Sequence, residues 1–215
     1  MNRLGAVILC GGRSTRMGQP KAWLPFGDER LLQRVIRLVR GGVGDGPIAV
    51  VAAPEQELPP LPMDVWLVRD PIEGQGPLRG LATGLGALPG EVELVYATAT
   101  DTPFLRPGWI GRLAERIGAA DLVMPLVAGH RNPLAALYRR ATVLPVALEL
   151  IAAGRLKPAF LLDRLRAVTL VEEDLRDVDP DFSSIRNLNT PEEYAAALRD
   201  AGLIPTTADG SRSTQ

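Results

Sequence analysis

The sequence predicts an α/β protein with a mostly parallel sheet and helices on both faces. Its 215 residues suit one such domain. Hydrophobic residues make up 46% and charged residues 23%, the balance of an ordinary globular protein. Short apolar runs alternate along the chain with helical patterns, which favours parallel strands joined by helical crossovers. Ligands of such sheets bind beyond the carboxyl ends of the strands, so we expect the functional residues there.

The first predicted strand spans residues 6–10, and an amphipathic helix follows at about 29–40, where apolar residues recur every three or four positions. We expect Gly41, Gly42 and Gly44 to stop this helix. Further strands are predicted at 47–53, 64–68, 91–99, 121–124, 134–138 and 167–171. Further helices are predicted at 78–88, 107–118, 141–153, 158–166 and 190–201. Residues 1–203 therefore form a single predicted domain, and the small, polar residues 204–215 form a tail that we expect to be disordered.

Composition excludes several classes of protein. No apolar run reaches the ~18 residues of a membrane span. The net charge of −1 provides no general attraction for nucleic acid. The one cysteine, Cys10, cannot form an internal disulfide, so we expect a cytoplasmic protein. The one histidine, His130, leaves oxygen ligands for any metal, which favours Mg²⁺ over Zn²⁺.

The loop after the first strand has the composition of a phosphate-binding site. Residues 9–21 read LCGGRSTRMGQPK. Gly11 and Gly12 allow close approach of the backbone, whose N–H groups can hold phosphate oxygens. Arg16 and Lys21 add cationic donors, and Arg13 lies between them and the glycines. The spacing differs from that of a P-loop. We interpret the loop as a nucleoside triphosphate site; a plain tight turn is the structural alternative.

Two carboxylates follow predicted strands. Asp101 follows the strand at 91–99, where a carboxylate facing a triphosphate could bind Mg²⁺. Its alternative is an Asx turn or a cap of the helix at 107–118. Asp70 follows the strand at 64–68 and has the same two interpretations. The glycine-rich segment that contains Gly76 and Pro77 would let a helix N-terminus approach an anion, or let that helix pack closely on the sheet.

The segment GGRSTRMGQPK at residues 11–21 resembles the N-terminal signature of the molybdenum cofactor guanylyltransferases. Four other segments agree with that family in order and spacing: GPLRG at 76–80, TDTPF at 100–104, NPL at 132–134 and NLNTPEE at 187–193. The resemblance extends over about residues 6–198, and the closing Asn-x-Asn-Thr-Pro-Glu pattern is typical of this branch.

This resemblance implies a Rossmann-like three-layer sandwich and a Mg²⁺-dependent transfer of GMP. The terminal phosphate of molybdopterin would attack the α-phosphate of GTP and release pyrophosphate. Because molybdopterin is labile, it also implies transient contact with other molybdenum-cofactor proteins. Lys21, Arg16 and Asp101 would be catalytic, and Asp101 would be the metal ligand. The remaining implied binding residues lie near the nucleotide, apart from Asn189 on the pterin side: Leu9, Cys10, Gly11, Gly12, Asp70, Gly76, Pro77 and Asn189.

The chain departs from the family pattern at three places. Gln19 and Pro20 precede Lys21 where the family often has an acidic residue, and Pro20 would stiffen that turn. Ala52 and Ala53 stand where an asparagine is expected to help read guanine, which leaves CTP as a possible substrate. Asn132 stands where the family often has histidine, and His130 lies two residues earlier, so either could have a site role. Two further interpretations stay open: transfer to a different phosphorylated acceptor, and a non-catalytic nucleotide-binding module.

Overall fold

The computed structural model describes residues 4–11, 17–72, 74 and 76–204. Its strands are β1 Leu4–Leu9, β2 Pro25–Phe26, β3 Glu29–Arg30, β4 Ile48–Ala52, β5 Val65–Arg69, β6 Leu94–Ala99, β7 Leu122–Val127, β8 His130–Arg131, β9 Ala136–Arg139 and β10 Ala167–Leu170. Its α-helices are α1 Leu31–Val43, α2 Gly76–Ala87, α3 Pro107–Arg116, α4 Arg140–Ala152, α5 Glu172–Leu175 and α6 Pro191–Asp200. Short 3-10 turns lie at Lys21–Trp23, Pro133–Ala135, Pro158–Asp163 and Ser183–Ile185.

The main sheet has the strand order β10-β7-β9-β6-β1-β4-β5, and β8 extends it by pairing with β7. Strand β9 is antiparallel to both of its neighbours, β6 and β7, whereas the other pairs along this order are parallel. Helices cover both faces, so the predicted α/β fold with a mostly parallel sheet is confirmed. Strands β2 and β3 form a separate small hairpin.

The central strand β1 is buried because helices cover both of its faces. Ala6 and Ile8 belong to the core beneath α1 and α3, and Val7 and Leu9 belong to the core beneath α2 and α4. This alternation follows from the two-residue period of a strand. Each fully buried Val, Leu or Ile side chain contributes about 1.5–3 kcal/mol. The central strands therefore give the carboxyl-end loops a rigid base.

Helix α2 packs unusually close to β1 because it carries glycine at the contact. A Cβ atom at Gly84 would lie 2.5 Å from Val7 Cγ1 and 3.0 Å from Val51 Cγ2. Gly76 begins α2 with φ +76°, a conformation that glycine adopts without strain. The close-packing interpretation of this glycine-rich segment therefore applies within the helix.

Two predicted helices, those at 29–40 and 158–166, differ from the structure. Helix α1 continues through Gly41 and Gly42 and ends at Gly44, which has φ +60°. The two glycines do not stop the helix, because α3 packs against them: a Cβ at Gly42 would lie 2.5 Å from Ile110 Cδ1. Residues 29 and 30 form β3 and not the start of α1. The helix predicted at 158–166 is a 3-10 helix over Pro158–Asp163.

Within the described ranges, no helix has the length and apolar character needed to cross a membrane. Residues 205–215 lie outside those ranges, so the disordered tail and the domain boundary at 203 stay predictions.

Candidate active site

A cavity of about 570 Å³ opens at the carboxyl ends of β1, β4 and β6, next to the N-terminus of α2. This volume falls in the range of small-molecule sites. The described residues that line it come from six parts of the chain: Leu9 and Gly11; Val51, Ala52 and Ala53; Asp70, Ile72, Gly74, Gly76, Pro77 and Gly80; Ala99 and Asp101; Arg131 to Ala135; Ile185 and Asn187. The position agrees with the expected ligand site of a parallel sheet.

At one end, near β4 and β5, the cavity offers little hydrogen-bonding chemistry. Ala52 and Ala53 line it with methyl groups, and Asp70 lines it with a carboxylate. Gln56 lies beside this end, but its amide is already paired: Oε1 accepts from the Ala53 N–H and Nε2 donates to the Cys10 carbonyl. Among the described lining residues at this end, Asp70 is therefore the polar side chain that is available to bind a ligand.

At Asp101, which lines the cavity, a lysine and an asparagine that are not themselves lining residues come together from distant parts of the chain. Lys21 Nζ lies 2.7 Å from Asp101 Oδ2 and donates to Asn189 Oδ1 at 3.1 Å. The Lys21 and Asp101 side chains are only 19% and 16% exposed, so the pair is partly shielded from solvent. The structure thus places three of the predicted site residues in one cluster.

The segment that carries Asn189 is held against the loop after β6. The Leu188 N–H donates to the Asp101 carbonyl at 3.0 Å. The Asn189 N–H donates to Glu193 Oε2 at 2.6 Å, and Thr190 caps α6 by accepting from the Glu193 N–H at 3.2 Å. These bonds fix the backbone from which the Asn189 side chain reaches Lys21. Asn189 contacts the lysine, whereas Asn187 lines the cavity itself.

The two carboxylates differ in their local roles. Helix α3 begins after Arg106 with no side-chain cap, so Asp101 does not cap it. Asp70 Oδ1 accepts from the Ile72 N–H at 3.3 Å, which is the pattern of an Asx turn. Asp70 therefore shapes its own turn and also lines the cavity.

The glycines at the N-terminus of α2 do both things considered from the sequence: they let the helix approach a ligand, and they let it pack closely on the sheet. Gly76, Pro77 and Gly80 line the cavity. A Cβ at Gly80 would lie 3.1 Å from Leu9 Cδ2, so the same helix is held close to β1. Small residues at these positions keep the start of the helix open to a ligand.

Cys10 lies between two lining residues, but the structure does not bring it to the cavity. Its N–H donates to the Val51 carbonyl, and its side chain is buried in the core beneath α1 and α3. Burial raises the pKa of the Cys10 thiol from 9.0 to about 11, so the thiol is neutral at pH 7 and a poor nucleophile. Leu9 and Gly11, in contrast, line the cavity.

At the other end, near β8, the lining is richer in side chains. Arg131 enters from β8, Asn132 directly follows it, and Ile185 enters from the chain that leads to α6. His130 does not line the cavity; its Nδ1 lies 2.7 Å from the Ala128 carbonyl oxygen. Of the two residues considered from the sequence, Asn132 is the one at the site.

The sequence pattern missed several of these residues. Arg131, Ile185 and Glu193 were not assigned a site role, although Arg131 adjoins the NPL segment and Glu193 lies within NLNTPEE. Gly12, Arg13 and Arg16 lie outside the described residues, so the predicted roles of Gly12 and Arg16 stay predictions.

The described acidic groups of the site are too few to hold a metal ion by themselves. They fit a metal ion whose other ligands are phosphate oxygens of the substrate. Over the described ranges, no three His, Cys, Asp or Glu side chains are grouped so that they could hold an ion. Asp101 supplies one carboxylate at the cavity. Mg²⁺ commonly binds through one or two carboxylates together with substrate phosphates and water. The residues present therefore fit a Mg²⁺ ion that arrives with a triphosphate.

A cavity at the strand ends that Gly11 helps to line, together with a lysine–aspartate pair at its edge, defines a nucleotide-binding α/β protein. The model of the MobA-like NTP transferase domain matches residues 6–168. A Mycobacterium tuberculosis protein named "Probable molybdenum cofactor guanylyltransferase" is 36% identical over 192 residues, which cover 87% of this chain and 92% of that protein. The chain belongs to the MobA-like NTP transferase family.

Two solved structures share the fold. Molybdopterin-guanine dinucleotide biosynthesis protein A from Archaeoglobus fulgidus has a TM-score of 0.75 at 22% identity, over 93% of this chain and all of that one. A Mycobacterium tuberculosis protein solved in complex with manganese has a TM-score of 0.64 at 15% identity, over 92% of this chain and 99% of that one.

Proposed function

We propose that this protein transfers GMP from GTP to the terminal phosphate of molybdopterin, with Mg²⁺, in the cytoplasm. The observation that carries the proposal is the cluster of Lys21, Asp101 and Asn189 at the cavity of a MobA-like chain. The relative named as a molybdenum cofactor guanylyltransferase, which this chain covers almost entirely, supports the same substrates.

The proposed reaction is an in-line displacement at phosphorus. A bond forms between an oxygen of the acceptor phosphate and the α-phosphorus of GTP. The bond that breaks joins the α-phosphorus to the oxygen between the α- and β-phosphates. The electron pair leaves with pyrophosphate. Because the nucleophile is already an anion, positioning and neutralisation of charge supply most of the catalysis. No strong general base is required.

The residues of the cluster suit these two tasks. Asp101 would hold Mg²⁺, which when bound supplies positive charge to the phosphate oxygens. The Lys21 ammonium, which contacts Asp101, would exchange that contact for a phosphate oxygen of the bound nucleotide. Asn189 keeps Lys21 directed towards the cavity during this exchange. Arg16 is proposed to bind the departing pyrophosphate.

Asp70 supports guanine as the base. The Watson–Crick edge of guanine presents two adjacent donors, an N–H and an amino group, which match the two oxygens of a carboxylate. Cytosine presents one amino donor beside an acceptor nitrogen, which would face the carboxylate unfavourably. Ala52 and Ala53 add no donor or acceptor side chain that would change this preference.

Thermal unfolding with Mg²⁺ and each of GTP, CTP, ATP and UTP tests the choice of nucleotide. A nucleotide at a hundred times its Kd stabilises the folded state by about 2.7 kcal/mol. The midpoint should then rise by roughly 2–4 °C per kcal/mol. We expect the largest shift with GTP. A shift with CTP alone would mean that the protein catalyses the same nucleotidyl transfer with CTP, and not GTP, as its substrate.

The transfer itself is tested by mixing GTP and molybdopterin with the protein and measuring pyrophosphate and the dinucleotide product. Binding of GTP without any product would favour the non-catalytic binding module. Product from another phosphorylated acceptor, but not from molybdopterin, would replace the acceptor.

Asp70→Asn tests the base contact separately. The amide replaces one acceptor with a donor, so we expect the preference for GTP over CTP to fall by about tenfold, the loss of one charge-assisted hydrogen bond. Asp163→Asn is the control, because Asp163 is exposed and pairs with Arg155 outside the cavity. An unchanged preference in Asp70→Asn would show that another group reads the base.

A further inference from the structure

We propose that Arg131 binds the phosphate of the acceptor, a phosphate monoester that carries a flat heteroaromatic ring, at the end of the cavity opposite Asp70. This inference rests on the proposed function, because it assigns the second substrate of the same site.

The fold places Arg131 and Asp70 on opposite sides of the reacting centre. Strand β8, which carries Arg131, pairs with β7, and Asp70 directly follows β5 at the far edge of the sheet. Strands β6 and β1 lie between them, and Asp101 follows β6. Both residues line the same cavity. A base bound near Asp70 thus leaves the Arg131 end open to the second substrate.

The backbone around Arg131 is held firmly. Arg131 pairs with Leu126 of β7, and the next N–H, that of Asn132, donates to the Pro125 carbonyl at 2.9 Å. The Tyr138 hydroxyl donates to the Pro133 carbonyl at 2.7 Å. These bonds fix the backbone from which the Arg131 guanidinium extends, although the side chain itself is exposed.

The guanidinium of Arg131 keeps most of its hydrogen-bonding capacity. Its one contact with another described residue is from Nη1 to the Thr169 hydroxyl at 3.3 Å. In the parts of the chain that the structure describes, no carboxylate forms an ion pair with it, whereas Arg106 and Arg112 each pair with aspartates. An arginine has five N–H donors, so several can bind a ligand.

The charges of the cavity indicate what that ligand is. The charged residues among its described lining are Asp70, Asp101 and Arg131. The acceptor phosphate has to come within roughly 3–3.5 Å of the α-phosphate, another anion, so a cation on the acceptor side offsets their repulsion. A planar guanidinium forms paired hydrogen bonds with phosphate oxygens. Leu134 and Ile185, which also line the cavity, offer apolar surface to a flat ring.

The experiment measures transfer at saturating GTP while molybdopterin is varied, with pyrophosphate release as the readout. Arg131→Ala should raise KM for molybdopterin by about tenfold or more, since a charge-assisted contact is lost. The KM for GTP and the thermal shift with GTP should stay unchanged. Arg131→Lys keeps the charge without the planar fork and should fall between Arg131→Ala and the native protein.

Thr169→Val is the matched control. It removes the hydroxyl that Arg131 contacts and leaves the guanidinium in place. If Arg131 only ties β8 to β10, Thr169→Val will reproduce the effect of Arg131→Ala. If Arg131 binds the acceptor, Thr169→Val will keep the native KM for molybdopterin.

The outcomes separate this inference from the proposed function. An active native protein whose KM for molybdopterin does not change in Arg131→Ala overturns the role of Arg131 alone. A native protein that binds GTP but forms no product with molybdopterin overturns both proposals. A selective rise of KM for molybdopterin, absent in Thr169→Val, supports the assignment.

Discussion

The two ends of the cavity are built differently. The end near Asp70 comes from the first 80 residues and is formed mostly by backbone and small side chains, such as Gly11 and Ala52. The end near Arg131 is formed by β8, which pairs antiparallel with β7, by the residues that follow β8, and by the segment before α6. It presents longer side chains, such as Asn187. A surface of backbone and small groups suits the common part of a nucleotide, whereas a surface of varied side chains suits a particular acceptor. Recognition of the second substrate can therefore change without altering the nucleotide end.

Loss of Asp101 should have the largest effect, because this residue stands where the two ends meet. We expect Asp101→Asn to lower kcat by about a hundredfold or more, the size of losing a main electrostatic group. Lys21→Met should lower kcat to a similar extent. Both variants should unfold near the native temperature, which circular dichroism can check. Near-native turnover in either one would contradict the assignment of this pair.

Substitution of Gly84 should disturb the nucleotide end selectively. In Gly84→Ala the new methyl would meet Val7 at 2.5 Å, so we expect a loss of about 1–3 kcal/mol in the free energy of unfolding, measured with urea. Displacement of α2 should also raise KM for GTP more than KM for molybdopterin.

Gly86→Ala is the control in the same helix. Among the described residues, no atom lies within 4 Å of a Cβ at Gly86, so this change should stabilise the protein by up to about 1 kcal/mol. Equal gains of stability in the two variants would show that helix propensity, and not contact with β1, decides the effect.

Loss of Glu193 should have the smallest effect and should act through Asn189. Glu193→Ala removes the acceptor of the Asn189 N–H, and we expect kcat to fall by about 2- to 10-fold, the value of one hydrogen bond. Glu193→Gln keeps an acceptor oxygen and should recover most of this loss. The KM for GTP should change little.

Thr190→Ala separates positioning from helix stability. It removes the cap of α6 and should cost about 1 kcal/mol of stability, but it keeps the bond between Glu193 and Asn189. If Thr190→Ala lowers kcat as much as Glu193→Ala does, the role of Glu193 is only to stabilise the helix.

The two ends also differ in how far the sequence predicts them. Short apolar runs alternating with helical patterns predicted the parallel strands and the positions of Asp70 and Asp101, because in a parallel sheet the residues that follow strands gather at one edge. The place of Leu9 at the cavity was implied by the family resemblance. Arg131 and Glu193 could not be placed in this way. Their positions depend on the antiparallel strand β9 and on the return of the chain before α6, which are long-range contacts without a local pattern. The prediction that Gly42 stops α1 was wrong for a related reason. Gly42 is needed because Ile110 of α3 packs against it, and this long-range contact has no local sequence pattern.

The bond between the Leu188 N–H and the Asp101 carbonyl has a consequence for how the protein is made. During synthesis from the N-terminus, Lys21 and Asp101 leave the ribosome long before Asn189 does. The nucleotide end can therefore fold first, but the lysine acquires its asparagine contact only when residues 187–193 have emerged and docked. A chain that stops short of α6 would keep most of the sheet but lack the contact between Lys21 and Asn189, so we expect the first turnover only after nearly the whole chain has been translated.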